Sequence, residues 1–130
     1  MIDTSYLESL LGYNARRASL VIIDQFVQGM AEFDLRPVDF SVLSVIFHNP
    51  GVTSRQLCST LSILPPNLVG LVKSLAQRGL IERKPHPQDG RALGLHMTLA
   101  GQALMRQAEA RASEIEARAT CHLGTEEQQQ

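Results

Sequence analysis

Tryptophan is absent from this 130-residue chain, which carries only two tyrosines and four phenylalanines. So few rings make no surface platform for stacked bases, and this weighs against RNA binding. Cysteine is scarcer still. Cys58 and Cys121 lack C-x-x-C spacing, and His48, His86, His96 and His122 form neither H-x-x-x-H nor H-E-x-x-H. The common zinc patterns are therefore missing, and two unpaired cysteines fit a reducing compartment. Cys121 and His122 are adjacent, so on a helix they diverge by about 100° and make no nucleophile–base pair. No phosphate-binding glycine loop is present either. No catalytic residue, cofactor or metal is expected, and the chain does not read as an enzyme.

Long apolar runs are also missing; none approaches the ~20 residues of a membrane span. The start, Met1-Ile2-Asp3-Thr4-Ser5-Tyr6-Leu7-Glu8, lacks the basic stretch and apolar run of a signal peptide. A cytoplasmic protein is expected. The length suits one domain, and 44% hydrophobic residues suffice for a globule.

Net charge is only −1, yet its distribution is uneven. Residues 1–50, 51–91 and 92–130 carry −3, +4 and −2. The positive centre comprises Arg55, Lys73, Arg78, Arg83, Lys84 and Arg91. Such confinement of basic charge is the footprint of a nucleic-acid-binding head.

That same centre has a distinctive order. Leu64-Pro65-Pro66 predicts extended backbone through Pro65, with Pro66 at the first helical position. Leu68, Leu71, Val72 and Leu75 then repeat at the spacing of a buried helical stripe. The opposite face carries Asn67, Gly70, Ser74 and Gln77, flanked by Lys73 and Arg78, and Gly79 stops the helix. Small and amide side chains suit close approach to base edges. A solvated polar face on an ordinary amphipathic helix is the bland alternative. Beyond it, Ile81, Arg83 and Lys84 lead through a turn with Asp89-Gly90 to Leu93, Leu95 and Met97, which alternate as a half-buried strand. Two strands joined by a basic turn make a wing. Thr98 is placed to cap the next helix.

Leu75-x-x-Arg78-Gly79-Leu80-Ile81-x-Arg83, then Asp89-x-Arg91, then Leu95-x-x-Thr98-Leu99-x-Gly101 resembles the MarR family of winged helix-turn-helix regulators. The resemblance implies a mainly α fold with a small β-wing, dimerising through its N- and C-terminal helices. It implies that Asp89 braces the wing and that Arg91 reaches phosphate or the minor groove; Gly90 stands where many members carry another arginine. The expected DNA-contacting set is Arg55, Pro66, Asn67, Gly70, Lys73, Ser74, Asp89 and Arg91.

Helical segments flank the head. One spans roughly Thr4 to Met30, with apolar Leu11, Ala15, Ala18, Ile22 and Phe26 and a wider apolar surface at Leu20–Ile23. Another runs from about Pro37 to His48, with Val38, Val42, Val45 and Ile46 inward, stopped by Asn49-Pro50-Gly51. Thr53 or Ser54 caps a third, Arg55 to Leu61, in whose apolar rhythm Cys58 reads as core. The last runs from Thr98 to about His122, with Leu104, Ala108, Ile115 and Ala119 as a dimer seam. Leu123 to Gln128 reads as the start of a further helix. The expected organisation is an N-terminal dimerisation helix (1–35), a winged helix-turn-helix domain (36–98) and a C-terminal dimerisation helix (99–130), intertwined as one unit. A two-fold dimer would set its reading helices about 34 Å apart on a pseudo-palindromic operator.

In this family small aromatic acids or phenolics bind between the dimerisation helices and the winged domain. The resemblance makes Arg16, Arg17, Phe40, Phe47 and His48 candidate ligand residues, the arginines holding a carboxylate and the rings lining a pocket. Surface ion pairs and ordinary core packing are the alternative for these five. The functional expectation is a bacterial, sequence-specific transcriptional regulator, a repressor released by a small aromatic or organic-acid effector. The alternative is a winged-helix assembly module that reads no DNA sequence.

Overall fold

The computed structural model describes residues 2–85 and 93–128. Helices α1 (Ser5–Glu8) and α2 (Leu11–Met30) lead through a 3₁₀ turn, Ala31–Phe33, into α3 (Pro37–His48). Strand β1 (Val52–Thr53), α4 (Ser54–Leu61) and α5 (Pro65–Gln77) follow, then β2 (Ile81–Pro85), β3 (Leu93–Met97) and α6 (Leu99–Gln128). The strands form one antiparallel sheet in the order β1-β3-β2. Arg83 lies opposite Leu95 on one side of β3, and Val52 lies opposite Leu95 on the other. This is a mainly helical winged helix-turn-helix fold.

Local chemistry explains the element ends. At α4, Thr53 Oγ1 accepts from the Gln56 N–H at 3.2 Å while Gln56 Oε1 accepts from the Thr53 N–H at 2.9 Å. That reciprocal pair satisfies two otherwise orphan donors. Helix α5 closes on Gly79 at φ +76°. There the Leu80 N–H reaches Leu75 O at 3.1 Å and the Gly79 N–H reaches Ala76 O at 3.0 Å, the paired bonds of a Schellman end. At α3 the Asp39 carboxylate accepts from the Arg36 backbone N–H, Nε and Nη2, each at 3.0 Å. Burial alone would raise the Asp39 carboxyl, but these bonds and the guanidinium charge hold it below its usual value.

The core joins all the larger elements. Val42, Leu43 and Ile46 of α3, Leu57 of α4, and Leu68, Val72 and Leu75 of α5 are buried with Leu80, Ile81, Leu95, Met97, Met105 and Ala108. Cys58 packs partly buried against this cluster. Glycine permits two close contacts. A Cβ on Gly94 would come within 2.9 Å of Gly51 O, and one on Gly101 would overlap Leu80 O. The start of α6 therefore rests directly on the backbone that follows the reading helix.

Several expectations are corrected. The first helix breaks at Ser9-Leu10, where Leu10 adopts an extended conformation. Leu64 is the extended cap, and Pro65 already occupies the first helical position. The last helix continues without interruption to Gln128, so no new helix begins near Leu123. Ala108 and Ile115 lie in the chain's own core rather than on an open seam. Val38 and Val45 are only half-buried, and Leu43 takes an inward place on α3. Strand β1 adds a third strand to the sheet; its two residues are too short for a hydrophobic period to register.

Candidate DNA interface and effector groove

Leu68, Val72 and Leu75 anchor α5 in the core, each 1% exposed. Their spacing turns Pro66, Asn67, Gly70, Lys73, Ser74 and Gln77 outward, all exposed. A Cβ at Gly70 would meet nothing within 4 Å. The fold itself gives no reason for glycine there.

Two neighbours add to this face. Val69 is 63% exposed beside Gly70, an apolar group that can touch a thymine methyl. A groove of about 650 Å³ at the foot of α5 brings Arg36 together with Ser62, Leu64, Asn67 and Gly70. The Arg36 side chain is largely exposed although Asp39 holds its guanidinium. Sequence reasoning missed both. Val69 is an apolar residue outside the polar pattern of the reading face, and Arg36 lies outside the positive segment. Arg36 and Asn67 share this groove with Ser62, where the chain turns from α4 into α5 at φ +55°.

Other basic residues are differently placed. Arg55 is exposed in the first turn of α4. Arg78 donates to Phe33 O at 3.1 Å and Asp34 O at 2.9 Å, tying the end of α5 to the turn after α2. Lys84 on β2 pairs with Glu82 at 3.3 Å. Part of the central positive charge therefore serves the fold. Asp89 and Arg91, with His86, lie outside the described residues, as do the side chains of Cys121 and His122.

The five candidate ligand residues do not converge. Arg17 is 3.9 Å from Glu8, with its guanidinium 5.8 Å from the Tyr13 ring, and both Arg16 and Arg17 are exposed. Phe40 meets Phe26 edge-on at 5.0 Å, and Phe47 stacks on His48 at 5.1 Å. A groove of about 730 Å³ between α2, α3 and α6 is lined by Ile22, Phe26, Phe40, Ala112 and Ile115, with Glu109 and Glu116. Of the five candidates, only Phe40 lines it. His48 borders it indirectly, its Nε2 lying 2.8 Å from Glu109 Oε2, which also accepts from Ser44 Oγ at 3.0 Å. A different groove, of about 760 Å³, contains Gln25, Gln28, Arg111 and Arg118.

Outside the core, α2 keeps an apolar row in the open. Leu20, Val21 and Ile23 are 55%, 57% and 49% exposed, and Leu11 and Val27 continue the surface. Exposed large aliphatic residues in such a run mark an association surface. This arrangement of the terminal helices is consistent with dimerisation. No helix among the described residues is long and apolar enough to cross a membrane.

A helix with an open polar face beside a two-stranded wing defines a winged helix-turn-helix DNA-binding protein. The family model for MarR matches residues 33–92. A transcriptional repressor, CouR, solved bound to a 23-mer DNA duplex, is 35% identical, with a TM-score of 0.85 over 99% of this chain and 92% of that one. CouR from Rhodococcus jostii RHA1, solved with p-coumaroyl-CoA, is 28% identical, with a TM-score of 0.79 over 86% and 79%. A putative transcriptional regulatory protein for the hcr operon of Thauera aromatica is 32% identical over 106 residues, 75% of this chain but 64% of that protein. This chain belongs to the MarR family of DNA-binding transcriptional regulators, which are not enzymes.

Proposed function

We propose that this chain acts as a homodimeric repressor that reads a pseudo-palindromic operator with α5 and releases it when a small aromatic effector occupies the groove between α2, α3 and α6. The exposed face of α5 carries the proposal, because Asn67, Gly70, Lys73 and Ser74 project from a helix whose other side is locked in the core. Asn67 bonds a base edge, Lys73 and Ser74 engage phosphate or base, and Gly70 lets the helix approach closely. Arg55 and Arg36 contact the backbone beside the reading helix. Pro66 sets its entry, and Arg91 reaches DNA from the wing that Asp89 braces. CouR bound to duplex DNA and CouR bound to p-coumaroyl-CoA support both halves of this reading.

Effector release follows from linkage. A ligand lowers operator affinity only by as much as it prefers the arrangement that fits DNA less well. Helix α6 lines the groove with Ala112 and Ile115, and its first turn rests on the end of α5. One continuous helix thus runs from the segment that follows α5 to the groove.

Dimerisation is testable through Ile23, which is half-exposed on α2. Ile23→Glu should yield a folded monomer by light scattering that binds a two-half-site duplex at least tenfold more weakly. A wild-type chain that stays monomeric and binds one half-site as well as two would contradict the proposal.

A further inference from the structure

We propose that the start of α5 reads thymine by its methyl group, and that Val69 is the residue that touches it. This rests on the preceding reading of α5 as the operator-reading helix and names what that helix selects. An apolar cluster carries the argument. Val69 is 63% exposed, and Leu64, at the N-cap of α5, is 68% exposed. Pro65 and Pro66 are exposed beside them. Val69 follows Pro65 by four residues and Pro66 by three, so these side chains are neighbours on one helix face. Single apolar residues scattered over a surface need no explanation; several together mark a contact.

The fold supplies no other use for Val69. Valine is a poorer helix former than alanine at an exposed position, and the core lies on the side of Leu68, Val72 and Leu75. Nor is this tip built for phosphate, which a helix N-terminus holds through free backbone N–H groups. Pro65 and Pro66 fill the first two helical positions and carry no N–H, and the Asn67 N–H is bonded to Leu64 O at 3.0 Å. What the tip offers DNA is apolar contact. In the major groove, the C5-methyl of thymine is the apolar feature that sets one base apart. Lys73 is exposed one turn beyond Val69, so a phosphate contact and a methyl contact fall on the same flank.

Fluorescence anisotropy on a matched pair of duplexes tests this. The first is the sequence that the wild-type protein selects from a randomised pool. The second carries deoxyuridine for every thymine, which removes the methyls and leaves the pairing edges unchanged. Burying one methyl is worth about fourfold in affinity, so over two half-sites the wild-type protein should bind the deoxyuridine duplex about tenfold more weakly. Val69→Ala should bind the thymine duplex about as weakly as wild type binds the deoxyuridine one, and should lose little more when the methyls go. Circular dichroism should show this surface variant fully folded. Equal binding of wild type to both duplexes overturns the inference. So does an equal loss for both proteins, which would put the methyl contact elsewhere. Either result leaves sequence-selective reading by α5 standing. A pool that yields no preferred sequence overturns that reading and this inference together.

Discussion

The hydroxyl of Thr98 donates to the backbone carbonyl of Gly79 at 2.6 Å. It also accepts from the Gly101 N–H at 3.0 Å, capping α6. One side chain thus fastens the end of the reading helix to the start of the long helix. Leu80 O completes the joint by accepting from the Thr98 N–H at 3.1 Å. The start of α6 is thus held to the segment that ends α5 by one short side chain and one backbone hydrogen bond.

Two substitutions test this joint. Thr98→Val keeps the shape but removes the cap and the bond to Gly79, and should lower stability by about 1–2 kcal/mol in urea denaturation. Gly101→Ala places a methyl against Leu80 O and should cost roughly 1–3 kcal/mol. Unchanged midpoints for both would show that the joint bears no load.

Gly70 separates folding from recognition. Its surroundings are open, and replacing glycine within an exposed helix by alanine stabilises by roughly 0.5–1 kcal/mol. Gly70→Ala should therefore raise the melting temperature while weakening operator binding about tenfold, in the range of one mismatched base pair. An operator affinity equal to wild type would remove Gly70 from the interface.

Asp39 gives the stability profile an acid limb. Its carboxyl lies below its ordinary value of 3.8, as Arg36 outweighs the opposing effect of burial. A depressed carboxylate contributes stability above its unfolded pKa and loses it as pH falls through the folded value. Asp39→Asn should cost about 1–2 kcal/mol at neutral pH, since a bond to a charged partner is lost. The difference from wild type should shrink below pH 3.8. A constant difference across the acid range would show that the ionised form of Asp39 adds nothing.

The wing and the helix should fail differently. Arg91→Ala should weaken binding on every sequence and reduce the log–log salt slope by about 1, as expected for one phosphate contact. Asn67→Ala should instead relax preference at particular base pairs, by roughly 1–3 kcal/mol at each contacted position. Equal losses on every operator variant for both proteins would refute this division of roles.

The fold was legible where local chemistry decides it. The stripe of Leu68, Val72 and Leu75, the stop at Gly79 and the cap at Thr98 are written in a few neighbouring residues, and the chain obeys them. The stripe likewise set the outward face of α5. What escaped depends on distant parts meeting. Arg36 and Asn67 come to line one groove only once Ser62, at φ +55°, has turned the chain from α4 into α5. Glu109 becomes a groove residue only when α3 brings Ser44 and His48 against α6. Arg16 and Arg17 have the right chemistry for an acid, but neither lines the Phe40 groove, and Arg17 pairs with Glu8 instead.

The central claim is selective reading of DNA. Fluorescence anisotropy of a labelled duplex from the chain's own upstream region, set against a scrambled duplex at two salt concentrations, tests it most directly. The account predicts salt-sensitive binding that is at least a hundredfold tighter to the upstream duplex. Equal affinity for both duplexes, or no binding even at low salt, would contradict it.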